Sequence, residues 1–327
     1  MDRENHIIRN IPGKLITIVA FMVVFCLTTS TMQHSGQNHG GQSGFLNGIH
    51  ASDPKLTING NTELAMVATR GNGSLQAPYV IENRVIDAGN SGSAISMGNT
   101  NAFALIQNCT LTRAGSGSDA GLRLDYCTNV NVTGNRVLNN AYYGISLDHC
   151  TNITIQNNNA SNNWMGMKLN ASPNNTISNN TVLNNLEGIA IISSNDVICE
   201  TNTIFSTYYD GIAISDSLRA VLSNNPMISC GIALSGSTRI ATTSHSIAPT
   251  NTVNGKPIYY YSNTTGLKGS DFVGAGQVLI ANCNDSVITG LDVDGGSGGA
   301  LVAWSKNVTI TFNTITNILH ESCIHVL

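Results

Sequence analysis

The stretch GISLDHCTNITIQNNNASNNWMGMKLN, residues 144–170, decides the fold. It holds a Gly, a run in which apolar and polar residues alternate, a crowd of Asn, and a second Gly at which the pattern begins again. Working outward, Gly121, Gly144, Gly166, Gly188, Gly211 and Gly231 fall in one column, at intervals of 23, 22, 22, 23 and 20 residues. After each comes the same alternation: GLRLD, GISLD, GMKLN, GIAII, GIAIS and GIALS. A period of two marks a strand, with the first and third residues after Gly on one face and the second and fourth on the other. A second short strand follows in each unit, as in VNVTGN, ITIQNN and NTISNN. A unit of about 22 residues with short strands and no helical period cannot bury its own apolar face, so it must stack on copies of itself. The expected fold is all-β, a right-handed parallel β-helix in which each coil adds about 4.8 Å.

Stacking gives the columns physical meaning. Asn108, Asn135, Asn158, Asn180, Asn202 and Asn225, and later Asp292 and Asn313, are expected to form an internal ladder of side-chain amides. The Asn108 sequon would then be buried and unmodified. Cys127, Cys150, Ser172, Ser194, Ser217, Ser237, Cys283 and Ser305 make a second column in which Cys serves as a small buried residue. A Cys127–Cys150 disulfide is within stacking reach, but neighbouring strands would strain it. Residues 250–277, with a Tyr triplet, fit no coil and predict a hairpin-like excursion. The repeat resumes beyond them and stops at CIHVL, which reads as the start of another coil, an open edge suited to a protein partner.

Composition narrows the function classes. Only 10% of the 327 residues are charged, against roughly 25% in an ordinary soluble domain. A net charge of −4 and the lack of any Lys/Arg run argue against a nucleic-acid partner. Arg3, Arg9 and Lys14 precede the apolar run LITIVAFMVVFCL, residues 15–27. Residues 1–30 read as an export signal, or residues 15–32 as a retained membrane anchor. Residues 31–52 are a low-complexity linker, and residues 53–327 the β-helix, placed outside the cytoplasm by the charge asymmetry. Seven of the eight Cys follow the signal, with no CxxC pair. Sequons such as those at Asn72, Asn152, Asn263 and Asn307 suit a glycoprotein.

GNGSLQAPYVIENRVID (residues 71–87), the coils typified by GISLDHCTNITIQNN, and NTVNGKPIYYYSN (residues 251–263) together resemble exported archaeal members of the NosD-like, periplasmic copper-binding family. The resemblance spans most of residues 55–327 and implies a parallel β-helix and a link to copper-site maturation. The same repeat resembles carbohydrate-binding and sugar-hydrolase modules, and fold alone assigns no chemistry. No set of His, Cys or Met matches as copper ligands. HESCIH, with His320, Cys323 and His325, and the linker His34 and His39 are weak metal candidates.

The second residues after Gly run Arg123, Ser146, Lys168, Ala190, Ala213 and Ala233, and the fourth begin Asp125, Asp148 and Asn170. These positions are expected to face solvent, placing two carboxylates and two cations on a patch roughly 10 Å tall, the only such cluster in the chain. On a saccharide site the carboxylates would bond hydroxyls or hold Ca²⁺. A uronate lyase would use Arg123 or Lys168 as base, and a hydrolase an acid paired with a base or nucleophile. His149 adjoins the patch, and Tyr142, Trp164 and Tyr209 precede Gly residues where rings could stack on sugars. The simpler reading is that the cations offset two like charges on a solvated face. The expected function is an exported binding or scaffold protein recognising a polysaccharide or glycoprotein, with enzyme and metal-delivery readings as rivals.

Overall fold

A computed structural model describes residues 52–205, 207–318 and 323–327. The coils stack as parallel strands in three long sheets, with two further two-stranded sheets, Val287–Thr289 with Thr309–Thr311 and Asp292–Asp294 with Thr314–Thr316, in the last coils. The first contains the Gly-led strands, from Leu56–Asn59 to Ile232–Ser235, and the second runs from Tyr79–Glu82 to Ser246–Ile247. The third runs from Val85–Asp87 through Thr252–Val253 and continues beyond. Register is in phase: Ile145 lies beside Leu122 below and Met167 above, all fully buried. The short helix Asn61–Val67 inserts its buried Leu64 at the N-terminal end of the core.

The Asn crowd performs two different tasks. In the pairs at 139–140, 157–158, 162–163, 174–175, 179–180, 184–185 and 224–225, the first Asn has φ of 53–58° and makes the bend. This left-handed conformation is one that Asn tolerates better than other residues bearing a Cβ. The second Asn of each pair turns inward and is at most 5% exposed. The predicted ladder holds from Asn135 through Asn158, Asn180, Asn202 and Asn225. It extends to Asn251, which the sequence reading had placed in the excursion. Two assignments are corrected by one residue. Asn108 makes an exposed bend with φ of 54°, and Cys109 occupies the ladder slot, its N–H donating to Asn135 Oδ1 at 2.9 Å. Asp292 lies outside, and Leu291 N–H donates to Asn313 Oδ1 at 2.9 Å. At 108 the expected column slips back from the slot to the bend, whereas at 292 it slips forward: the bend there is Gly290, with φ of 75°, and Asp292 already begins the next strand.

Asn140, Asn163 and Asn185 form a second ladder that the sequence reading missed. The Cys/Ser column is a hydrogen-bonded stack: Cys150 N–H donates to Ser172 Oγ, Ser172 to Ser194, and Ser194 to Ser217. Cys283 and Ser305 repeat the arrangement. Ser237 leaves the column, being exposed and bonded to Asp216. Cys127 and Cys150 are free thiols, each donating to a main-chain carbonyl, Met97 O and Leu124 O respectively, at 3.3 Å.

The excursion is a hairpin that turns the solenoid over. Thr252–Val253 pairs antiparallel with Lys256–Ser262, after which Gln277–Ala281, Ala300–Ala303 and Ile324–Val326 extend the same third sheet in parallel. Reversing strand direction while the sheet still grows the same way would invert the hand of coiling. The hand is kept only if the interior moves to the opposite face of the sheet. Leu279, Ala281, Leu301 and Ala303 join the first core, whereas Val278, Ile280, Ala300 and Val302 join a second. The Tyr triplet alternates in the same way: Tyr260 packs on the first core and donates to Thr242 O at 2.7 Å, and Tyr259 and Tyr261 pack on the second.

Acid sensitivity follows from the polar groups between rungs. Hydrogen bonds from Arg70 and Gln107 hold the Glu82 carboxyl down to about 2, and Arg113 and Arg219 lower Asp87 and Asp196. His245 occupies an Asn-like place, with Ala220 N–H donating to Nδ1 and Nε2 facing Ala241 O, and burial lowers its pKa from 6.5. Each folded-state value lies below the unfolded one, so each contribution is complete above the unfolded pKa and is lost as pH falls through the folded one. Stability is expected to be flat above pH 6.5, to soften as His245 is protonated, and to fall further between 4.5 and about 2. Denaturant midpoints measured across that range check this; a midpoint unchanged down to pH 3 would contradict it.

Candidate functional site

Backbone pairing builds the predicted columns. Ser146 lies between Arg123 and Lys168, and Asp148 between Asp125 and Asn170, on the outer face of the first sheet. Arg123 Nε donates to Asp125 at 2.7 Å and Nη1 reaches Ser118. Asn170 Nδ2 donates to Asp148 at 2.6 Å, and His149 Nδ1 stands 3.3 Å from the same carboxylate. Lys168 donates to Tyr143 Oη at 3.1 Å, with its ammonium 4.7 Å from the centre of that ring. The two cations and two carboxylates are therefore already engaged by neighbours, in a fixed arrangement.

Aromatic pairs flank this strip on both sides. Tyr126 stacks on His149 at 4.7 Å where the strands end, and Tyr142 stacks on Trp164 at 5.6 Å just before they begin. Tyr142 and His149 are seven positions apart, or about 23 Å along a strand. Tyr126 and Trp164 are 57% and 45% exposed. Since the rings face one another, no sugar fits between them, and only the remaining face or edge of each is open to a ligand.

Several expectations need correction. Ser146 and Ala190 are buried rather than solvent-facing. Tyr209 pairs with Tyr208 and is separated from Trp164 by the coil of Leu186, so it stands apart from the patch. The charge cluster is not the only one: Arg70–Glu82, Arg113–Asp87 and Arg219–Asp196 are comparable pairs on other parts of the surface. What sets this face apart is that the charges lie between exposed rings. Tyr126, Tyr143 and Glu187 were missed. Glu187 stands beside Met165 just before Gly188, and burial raises its pKa. Tyr143 and Glu187 were visible in the residue before each Gly, a column the sequence reading did not read across.

The NosD family model, described as a periplasmic copper-binding protein, matches residues 77–247. The chain belongs to the NosD family. The match runs from just before the strand Tyr79–Glu82 to the end of the strand Ser246–Ile247 and stops before the hairpin. The family's periplasmic description agrees with a place in the envelope or outside the cell. Among the described residues no helix is long and apolar enough to cross a membrane; residues 15–32 lie outside them. Among solved structures, an alginate lyase from Paenibacillus sp. is similar at 11% identity and a TM-score of 0.42, over 77% of this chain and 85% of its own. An endo-xylogalacturonan hydrolase from Aspergillus tubingensis is similar at 13% identity and a TM-score of 0.40, over 80% and 91%. A mannuronan C-5 epimerase module from Azotobacter vinelandii gives 13% identity and a TM-score of 0.32, over 76% and 80%. No curated protein sequence matches the chain.

Among the described residues, the donors of this NosD solenoid do not fit a copper centre. Among the described residues no group of three or more His, Cys, Asp or Glu could hold a metal. Six of the seven described thiols are buried in the solenoid, where copper could not reach them without opening a coil. Cys323 and His325 lie at the last strand, and His320, His34 and His39 lie outside the described residues.

Proposed function

We propose that this NosD-family protein is a carbohydrate-binding solenoid of the cell surface or envelope, whose ligand lies along the first sheet over Arg123, Asp125, Asp148 and Lys168. The observation that carries the reading is the hydrogen-bonded charged strip between two exposed aromatic pairs. Fixed carboxylates bond sugar hydroxyls without further ordering cost, and exposed ring edges supply apolar contact. Asp119, Asp125, Asp148 and Glu187 on these coils outnumber Arg123 and Lys168, so the strip favours neutral or amine-bearing sugars over uronates. Arg123 and Lys168, the bases a lyase would use, are held by Asp125 and Tyr143.

The test is an array of neutral, amine-bearing and uronate glycans, with and without Ca²⁺, probed with the wild type and with Asp125→Asn/Asp148→Asn. Neutral glycans are expected to bind, and the double variant to lose at least about tenfold in affinity, or about 1.4 kcal/mol. Equal binding by both proteins, or no glycan bound by either, would reject the site. A Ca²⁺ requirement would point instead to a cation bridging the carboxylates, and unsaturated product from uronate polymers to a lyase.

A further inference from the structure

Glu187 is the first residue of the strand Glu187–Ile192, on the coil directly above Lys168. It stands in the column Ala120, Tyr143, Met165 and Glu187, the residues just before each Gly. The three coils below fill this place with uncharged side chains, so stacking alone does not call for an acid. Glu187 is half-buried, and burial raises its pKa from 4.5. Asp125 and Asp148 are engaged by Arg123 and Asn170. Among the described residues no hydrogen bond or ion pair meets the Glu187 carboxylate. Lys168 reaches down one coil to Tyr143 and so away from Glu187.

The surroundings of this carboxylate are aromatic. Glu187 N–H donates to Trp164 O, and Tyr209 N–H donates to Leu186 O, so Trp164 and Tyr209 stand on the coils below and above it. Trp164 is stacked on Tyr142 beneath, which leaves its other face turned toward the coil of Glu187. Tyr208 and Tyr209 meet edge to face and are 53% and 42% exposed. A carboxylate that has lost part of its hydration gains most from a charged donor, and ring faces attract cations. Both demands are met by an ammonium group and by neither a hydroxyl nor a second carboxylate. The Lys168 ammonium, 4.7 Å from the centre of the Tyr143 ring, shows the same attraction within the chain.

We propose that Glu187, between Trp164 and the Tyr208–Tyr209 pair, is an ammonium subsite at the edge of the charged strip, selecting amine-bearing oligosaccharides over neutral ones. The subsite rests on the carbohydrate reading and gives it a substrate class. Asp125 and Asp148 bond hydroxyls that both kinds of sugar carry, and Glu187 reads the substituent in which they differ. N-acetylation removes the charge and adds bulk, so the free amine is what the subsite distinguishes.

The test titrates the full chain with identically linked tetramers of glucose, N-acetylglucosamine and glucosamine, which differ only in carrying a hydroxyl, an acetamide or an ammonium. The wild type is expected to bind the glucosamine tetramer about tenfold or more tighter than the other two. Glu187→Gln keeps the shape without the charge and is expected to bring that ratio to about one. Asp125→Asn/Asp148→Asn is expected instead to weaken all three tetramers together, with the glucosamine tetramer still preferred. Equal affinities in the wild type, which needs no variant, or a preference that survives Glu187→Gln, would overturn the subsite while leaving the carbohydrate site standing. A wild type that binds none of the three would also overturn it, and the glycan array then decides the wider site separately. Tighter Glu187-dependent binding of tetralysine than of the glucosamine tetramer would overturn it in favour of a cationic peptide.

Discussion

Asn180→Ala is expected to cost about 4 kcal/mol, far above the usual effect of a single polar substitution. Asn180 is 1% exposed and its side chain makes four hydrogen bonds. Oδ1 accepts from the backbone N–H and side-chain amide of Asn158, and Nδ2 donates to Ile155 O and to Asn202 Oδ1, at 2.9–3.0 Å. Truncation leaves buried partners on three residues with nothing to bond, each a penalty of about 1–3 kcal/mol, reduced by whatever water enters. Asn179 provides the control. It is exposed, with φ of 56°, so Asn179→Gly keeps the bend and is expected to stay within about 0.5 kcal/mol of wild type. Two adjacent, identical residues thus differ by almost the whole effect. Guanidinium unfolding of the two variants checks it. The Ala variant should also split the transition, because rungs on either side of a broken coil are coupled only through it. A single transition with similar midpoints in both variants would mean that the ladder is not held as described.

Gly188→Ala is expected to destabilise by about 3 kcal/mol or more. Its φ is not left-handed; the constraint is steric. A Cβ at 188 would collide with the carbonyl oxygen of Gly211 on the next rung and stand 3.1 Å from Ile204 Cγ2. That carbonyl also accepts Ile189 N–H at 2.9 Å, so it cannot retreat without breaking the ladder. Gly255, with φ of 79° and nothing near its absent Cβ, is the comparison. Gly255→Ala should cost about 1–2 kcal/mol through backbone conformation alone. Thermal unfolding of the two ranks them, and the opposite order would show that the coils have room to separate at Gly188.

The fold was legible because stacking forces repetition. Gly144 and Gly166 recur in register since each rung meets its neighbour's carbonyl, and the alternation after them reports which side chains fill the core. The Asn ladder was legible as a column but not to the residue, since Asn in this chain both bends the strand and pairs inside it. The pairs Asn157–Asn158 and Asn179–Asn180 hold the key: bend first, ladder second. The reversal at Lys256–Ser262 was seen as an interruption, but its consequence was not. That depends on which face of the strand Gln277–Ala281 is buried, and both are, a pattern that period-two alternation cannot express. At the candidate site, sequence placed Arg123, Asp125, Asp148 and Lys168 on one face. It could not show that Tyr143 and Ser118 engage the cations, because those contacts depend on side-chain rotamers.

The shared third sheet also imposes a sequence of events. Strands Gln277–Ala281 and Ala300–Ala303 bury one face in the first core and the other in the second. The second solenoid therefore has no floor until the first has formed its upper coils, whereas the first needs nothing beyond its own rungs to begin winding. A chain synthesised from its N-terminus delivers these parts in the order in which they can be used. The later coils would then be laid down on a surface that the earlier ones had already made.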